Sequence, residues 1–171
     1  MLNSPLYQVE GPWRGQLAIV ARPRGGDWLE DDIRTYKEYG LDLIVSLLTP
    51  TENVRLELTE EAQLCQKHNL RFLGFPIEDH SAPESRADTF KLASKILDAV
   101  TRGENVALHC WGGVGRSGMI TACVLVSSGV EPSGALQRVS TARGASVPDT
   151  PEQRQWVIEF AREIVGGAGE R

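Results

Sequence analysis

The chain has 171 residues, of which 41% are hydrophobic and 24% charged, and its formal net charge is −5. These values predict one globular domain over residues 1–171, with a core at about residues 15–165 and a flexible tail at 166–171. The acidic balance argues against a nucleic-acid or anionic-membrane surface, because both need a basic face. We also expect no membrane span and no signal peptide, since long apolar runs and a basic leader are missing.

Buried strands and amphipathic helices are predicted to alternate in the first half of the chain. The run QLAIV is strand-like, and DWLEDDIRTYKEYG has helical spacing and ends at Gly40. LDLIVSLL (41–48) predicts a strand that is covered on both faces. Thr59 is expected to cap a helix through EEAQLCQKHN, and Pro76 is expected to end the strand LRFLGFPI (70–77).

The same alternation continues in the second half. A polar loop, EDHSAPES, leads into the amphipathic helix RADTFKLASKILDAVTRG, and NVALH (105–109) is another buried strand. SGMITACVLVSSG is apolar enough to predict a buried helix. Two further helices are expected, one with Pro132 near its start and a last one that opens with Thr150 and Pro151.

This order of elements predicts an α/β fold with a mainly parallel central sheet and helices on both faces. Ligands of such sheets bind beyond the carboxyl ends of the strands. The segment HCWGGVGRSG follows the strand at 105–109 and precedes a helix, so it lies at such an end. Its position predicts a functional site.

The glycine-rich turn has the features of an anion-binding loop. Successive backbone N–H groups and the positive end of the following helix favour an anion. The same groups favour the thiolate form of Cys110, and the planar guanidinium of Arg116 can hold two oxygens of a tetrahedral anion. The alternative is a sharp turn in which small residues allow close packing.

The segment HCWGGVGRS resembles the phosphate-binding loop of the cysteine-based protein tyrosine phosphatases, which reads H-C, five residues, then R and S or T. The short chain and mid-chain cysteine are most similar to the dual-specificity group, and within it to the kinase-associated-phosphatase-like proteins. The resemblance covers about residues 15–165, although only the loop is specific. It implies a strand–loop–helix active site that uses no metal and no cofactor.

The resemblance also implies roles for the loop residues. Cys110 would be the nucleophile, and Ser117 would hydrogen-bond its sulfur, unless that hydroxyl only satisfies a backbone N–H at the helix start. His109 would support the loop, although a histidine at a strand end is often only a hydrogen-bonded core residue. The residues that would bind phosphate are Trp111, Gly112, Gly113, Val114, Gly115 and Arg116.

A general acid is expected on a second loop at the same edge of the sheet. Asp79 matches the family best, with Glu78 and His80 as alternatives, and the segment can also be a solvated acidic loop or an Asx turn. Gln153 matches a family residue that positions the hydrolytic water, but Thr150 and Gln153 also have the spacing of a capping box.

We therefore expect a phosphatase that acts on phosphorylated proteins or peptides in the cytoplasm. Phosphotyrosine is the expected substrate, with phosphoserine and phosphothreonine as further candidates, and inositol phosphates are disfavoured because the loop has no lysine. The alternatives are a non-enzymatic phosphoprotein-binding module and a rhodanese-like sulfurtransferase. Cys65 and Cys123 are most simply small buried residues.

Overall fold

The computed structural model describes residues 6–168 of the chain. Those residues form five strands and seven α-helices, and a short 3₁₀ turn, Gly26–Trp28, precedes the first helix. In chain order the elements are β1 (Leu6–Val9), β2 (Gln16–Val20), α1 (Leu29–Glu38), β3 (Leu43–Ser46), α2 (Pro50–Arg55), α3 (Glu61–Lys67), β4 (Arg71–Gly74), α4 (Arg86–Thr101), β5 (Asn105–His109), α5 (Gly115–Ser127), α6 (Pro132–Arg143) and α7 (Pro151–Ala168). None of the described helices is both long and apolar enough to cross a membrane.

The five strands form one sheet in the order β1-β2-β5-β3-β4. The neighbours β2, β5, β3 and β4 pair in parallel, and β1 pairs antiparallel to β2. The predicted mainly parallel sheet is confirmed. The sequence analysis does not predict β1, because its four residues, LYQV, are too short and too polar to stand out as an apolar run.

Both faces of the sheet are buried, as predicted for a sheet between two layers of helices. Along β2, Leu17 and Ile19 pack with α4, α5, α6 and α7, whereas Ala18 and Val20 pack with α1 and α3. This alternation is the two-residue period of a strand. The near-continuous apolar composition of β2, β3 and β5 follows from it, because both faces of these inner strands are covered, whereas the edge strands β1 and β4 are partly exposed.

Helix α5 is the central helix of the larger layer and begins directly after the glycine-rich turn. Every residue from Gly115 to Val126 is buried, so the predicted buried helix is confirmed. Burial on all sides fixes the N-terminus of α5, and therefore the loop that leads into it.

The prediction that Thr59 caps a helix is wrong. Helix α3 begins at Glu61, and Glu60 occupies its N-cap position without a side-chain cap bond. The N–H of Glu61 donates to the carbonyl of Leu58 at 3.0 Å, so a turn replaces the extended backbone that a threonine cap needs.

The end of the chain is helical further than predicted. Helix α7 continues through residues 166–168 of the expected tail. Residues 169–171 lie outside the described residues.

Shortening a buried side chain in the central strand should test how much the core contributes to the free energy of unfolding. Leu108 in β5 is fully buried, one residue before His109, and we expect Leu108→Ala to lower the free energy of unfolding by about 2–5 kcal/mol. Val54→Ala, at a side chain that is 68% exposed, should change it by less than about 0.5 kcal/mol. Urea unfolding of both variants measures the difference, and equal losses would contradict this view of the core.

Candidate active site

The loops that follow three parallel strands meet at one edge of the sheet. Ser46 at the end of β3 lies opposite His109 at the end of β5, and the N–H of Leu47 donates to the carbonyl of His109 at 3.0 Å. The segment after β4 continues the same pattern, with the N–H of Ile77 bonded to the carbonyl of Leu47. The chain therefore brings together the segments that contain Cys110, Asp79 and the start of α2.

Cys110 lies at the base of the loop and is 2% exposed. Its Sγ accepts a hydrogen bond from the N–H of Gly113 at 3.2 Å and lies 3.4 Å from Oγ of Ser117. Both contacts stabilise negative charge on sulfur when the hydroxyl donates. The predicted proximity of Ser117 to the sulfur is confirmed, and Ser117 is fully buried.

Two glycines of the loop occupy positions that disfavour a side chain, one through its backbone conformation and one through lack of space. Gly113 has a φ of 69°, in the left-handed region. A Cβ at Gly115 would lie 2.3 Å from Oδ2 of Asp149, which comes from the segment before α7. The loop therefore curls around the sulfur and packs closely against the following part of the chain.

Arg143, at the end of α6, holds the loop from outside. Its Nε donates to the carbonyl of Gly113 at 2.8 Å, and a terminal nitrogen donates to the carbonyl of Gly112 at 3.3 Å. The peptide group between these two glycines is trans, so its N–H points opposite to its carbonyl. Arg143 therefore binds one end of a peptide group whose other end donates to Sγ of Cys110.

Arg116 is almost fully buried and is held in place by Glu52. Its two terminal nitrogens donate to the two carboxylate oxygens of Glu52 at 2.7 and 2.9 Å, and one of them also donates to the carbonyl of Ile77 at 2.9 Å. Burial opposes the charge of Arg116, but the hydrogen bond and charge of Glu52 and the charge of Cys110 outweigh it and raise the pKa of the guanidinium. The cation is therefore permanent.

Glu52 is a residue that the sequence analysis misses. It lies in the first turn of α2 and forms a reciprocal capping box with Thr49. Burial opposes ionisation of Glu52, but the hydrogen bonds from Arg116 and from the N–H of Thr49 outweigh it and lower the pKa of the carboxyl. The spacing of Thr49, Pro50 and Glu52 is a helix-start signal that would have identified α2, although not its arginine partner.

Asp79 lies beside Arg116, as expected for a residue of the second loop. One carboxylate oxygen is 3.3 Å from a terminal nitrogen of Arg116, and the side chain is 54% exposed. The same oxygen accepts from the N–H of His80 at 3.0 Å. Glu78 is exposed, and the ring of His80 reaches Asp79 at 3.5 Å. Of the three candidates, Asp79 is thus the one in contact with Arg116.

His109 forms a buried pair with Glu61 behind the loop. Nε2 of His109 lies 2.8 Å from Oε1 of Glu61, and the two side chains are 0% and 2% exposed. The sequence analysis does not identify Glu61 as the partner of His109. The pair fixes the residue before Cys110, which fits the supporting role expected of His109.

Gln153 is fully buried and connects three parts of the site. Its N–H donates to Oγ1 of Thr150 at 3.1 Å, and Oε1 accepts from the N–H of Thr150 at 3.4 Å, so the predicted capping box is confirmed. Its Nε2 donates to the carbonyl of Ser81 at 2.9 Å. Its Oε1 would lie 3.2 Å from a Cβ placed on Gly115. The side chain therefore bonds the Asp79 loop to the start of α7 and lies next to Gly115, while its action on water stays a prediction.

The other two cysteines are buried and free. Burial and the charge of Glu61 raise the pKa of Cys65 to about 12, and burial also raises the pKa of Cys123. Both thiols stay protonated at neutral pH, which confirms that they are small buried residues.

Comparison with known proteins identifies the family. Residues 18–130 match the family model Tc-R-P, described as a polymorphic toxin system DSP-PTPase phosphatase, which is more than half of the chain. The chain belongs to this phosphatase family. The matched segment contains Glu52, Asp79 and the whole loop from Cys110 to Ser117, whereas Arg143 and Gln153 lie outside it.

Individual relatives agree with this assignment. Protein 067L of Invertebrate iridescent virus 3, which is named as a tyrosine phosphatase, is 35% identical over 116 residues, or 60% of this chain and 47% of that protein. Cyclin-dependent kinase inhibitor 3 of Rattus norvegicus is 22% identical over 138 residues, or 80% of this chain and 65% of that protein. The chain thus spans about half the length of the first and somewhat less than two thirds of the second.

The fold is shared with solved phosphatase structures. A crystal structure of kinase associated phosphatase (KAP) matches with a TM-score of 0.86 and 20% identity, covering 95% of this chain and 96% of that chain. With 20% identity, this structural similarity establishes that the two chains share a fold. The predicted resemblance to dual-specificity phosphatases is therefore confirmed by both sequence and fold.

Neutralising Glu52 should destabilise the protein in a pH-dependent way. Glu52→Gln leaves Arg116 without its buried partner, and we expect a loss of about 3 kcal/mol in the free energy of unfolding near pH 7. Because the pKa of Glu52 is lowered on folding, its contribution is complete above about pH 4.5 and is lost as the pH falls through the folded value. The wild-type and variant proteins should therefore converge in acid.

The measurement is denaturant unfolding of both proteins between pH 7 and pH 3. Glu84→Gln, which removes an exposed carboxylate, is the matched control and should have a small effect at every pH. A stability gap between wild type and Glu52→Gln that is independent of pH would contradict the role assigned to the carboxylate.

Proposed function

We propose that this family member is a metal-independent phosphatase that hydrolyses phosphomonoesters of proteins through a cysteinyl-phosphate intermediate. The observation that carries this proposal is the convergence of Cys110, the N–H of Gly113 and Arg116 in one loop, with Asp79 beside Arg116. A nucleophile, donors for the transferring oxygens and an acid are the groups that phosphoryl transfer requires. The separate acid favours an enzyme over a module that only binds phosphoproteins.

In the first step, Sγ of Cys110 attacks phosphorus in line with the leaving oxygen. The sulfur–phosphorus bond forms, the bond from phosphorus to the ester oxygen breaks, and that oxygen takes a proton from Asp79. The backbone N–H groups of residues 111–116 and the guanidinium of Arg116 hold the non-bridging oxygens. Glu52 keeps the guanidinium in place, so little reorganisation is needed as charge shifts.

In the second step, water attacks the cysteinyl-phosphate and gives its proton to Asp79. The oxygen–phosphorus bond forms and the sulfur–phosphorus bond breaks. Cys110 is thereby restored as a thiolate, and inorganic phosphate is released. Ser117 and the N–H of Gly113 stabilise the departing sulfur. Gln153, whose amide donates to the Asp79 loop and lies next to Gly115, is the residue proposed to position the water.

The contact between Asp79 and Arg116 has a consequence for this cycle. The carboxylate lies 3.3 Å from the guanidinium. A phosphate group that binds Arg116 takes over that contact, which frees Asp79 to face the ester oxygen. The exposed position of Asp79 on a loop permits this movement.

The substrate is proposed to be phosphotyrosine in a protein or peptide, with phosphoserine and phosphothreonine as further substrates. The five residues between Cys110 and Arg116 carry no charge, and Trp111 and Val114 are half-buried apolar side chains at the rim. An aromatic residue gains more from such a rim than a highly charged inositol phosphate does. A cytoplasmic location is part of the proposal, supported by three free cysteines.

Hydrolysis of an aryl phosphate should survive a metal chelator, because the proposed mechanism draws its nucleophile and its cation from the chain itself. Cys110→Ser should lower kcat by more than about 1,000-fold while phosphate-ester binding is kept. Release of inorganic phosphate and direct binding measurements provide the two readouts. Activity that is lost to chelator and restored by a divalent ion would overturn the proposal.

Asp79→Asn should slow substrates with poor leaving groups far more than those with good ones. General-acid help is worth about 100- to 10,000-fold, and it matters only where the departing oxygen needs a proton. The measurement is kcat/KM for a series of aryl phosphates of increasing phenol pKa, with Glu78→Gln as the control. The slope of log(kcat/KM) against phenol pKa should become steeper in Asp79→Asn. If it steepens in Glu78→Gln instead, the acid is Glu78.

A further inference from the structure

The first residue after the nucleophile, Trp111, is contacted by two arginines. The guanidinium carbons of Arg22 and Arg55 lie 5.5 and 5.2 Å from the centroid of its ring. Trp111 is half-buried and belongs to the phosphate loop, so both cations lie at the edge of the candidate active site. Neither of them takes part in the proposed reaction.

The two arginines belong to segments that are bonded to each other and to the site. Arg22 follows β2, and Arg55 ends α2, the helix that also contains Glu52. The segment after β2 is tied to the end of α2 by a hydrogen bond from the N–H of Gly26 to the carbonyl of Glu57 at 3.1 Å. The positions of both cations are thus defined relative to Arg116 and the loop.

Their charges are not neutralised inside the protein. Within residues 6–168, neither Arg22 nor Arg55 forms an ion pair with a carboxylate. Arg24, two positions after Arg22, differs in this respect. It forms an ion pair with Asp32 at 2.6 Å and also lies over the ring of Trp28. In a chain with a net charge of −5, two unpaired guanidinium groups beside an anion-binding loop are a local excess of positive charge.

Stacking on an aromatic ring uses only the face of a guanidinium group. The terminal N–H groups of both arginines stay available for oxygen atoms, whereas Nε of Arg22 is buried without a partner, and an aromatic ring below reduces the freedom of each side chain. Two guanidinium groups around one indole therefore form a site for a carboxylate or a phosphate. A purely structural role, covering Trp111, would need no unpaired charge.

We propose that Arg22 and Arg55, positioned on Trp111, form a second anion subsite that binds an acidic or phosphorylated residue next to the phosphoresidue of a peptide substrate. This inference rests on the proposed function and narrows its substrate class. A peptide is favoured over an inositol polyphosphate because the loop itself adds no further cation, so the pair matches one additional anionic group rather than several. The acidic chain also attracts large polyanions poorly.

The test is binding of three matched phosphotyrosyl peptides to the Cys110→Ser protein at constant ionic strength. The peptides differ only in the residues beside phosphotyrosine, which are alanine, glutamate or phosphoserine. We expect the two anionic peptides to bind about tenfold more tightly than the neutral one, as charge-assisted hydrogen bonds would give. The ratio of dissociation constants should fall to about one when Arg22→Gln and Arg55→Gln are added.

Two further variants separate a local subsite from a general effect of charge or of folding. Arg162→Gln removes an exposed positive charge in α7, near the opposite end of α5 from the loop, and should keep the tenfold ratio. Arg55→Gln alone, at an exposed position, should lower the ratio part of the way. Thermal melting of each variant shows that it is folded.

Several results would overturn the subsite. These are equal or undetectable binding of the three peptides, a ratio that persists in the double variant, and a ratio that Arg162→Gln also abolishes. Tighter binding of an inositol bisphosphate than of any peptide would overturn the peptide assignment. Hydrolysis of the neutral peptide by the unmodified protein tests the proposed function separately, so an inactive protein that keeps the binding ratio would refute only the activity.

Discussion

The buried contact between Arg116 and Glu52 is the interaction on which the rest of the site depends. A guanidinium group that is 1% exposed is unfavourable unless its charge and its N–H groups are satisfied, and the two carboxylate oxygens and the carbonyl of Ile77 satisfy them. This requirement brings α2 and the segment after β4 against the start of α5. Glu52 leaves one side of Arg116 facing Asp79.

The backbone groups of the loop around Cys110 also need hydrogen-bond partners. Its N–H groups can point at an anion only if its carbonyls are bonded elsewhere, and Arg143 supplies donors for two of them. Behind the loop, the pair of His109 and Glu61 fixes the end of β5. The cradle is therefore preorganised by side chains that never need to touch a substrate, which is where electrostatic catalysis gains most.

How much could be predicted from sequence depended on how far apart the partners lie in the chain. Cys110, Arg116 and Ser117 fall within eight residues, and Asp79 follows the rule that loops meet at the carboxyl edge of a parallel sheet. By contrast, Glu52 is 64 residues from Arg116, Glu61 is 48 from His109, and Arg143 is 30 from Gly113. Local patterns assign such residues to helix ends, and only the packing of the helices shows which group each one meets.

The stacking of Arg143 on Tyr7 joins the catalytic loop to a part of the chain that is otherwise remote from it. The guanidinium carbon lies 4.1 Å from the centroid of the Tyr7 ring in β1, the antiparallel edge strand. Both residues fall outside the segment 18–130 that defines the family match. The stiffness of the loop therefore depends in part on an edge strand and a helix end that contain no catalytic group.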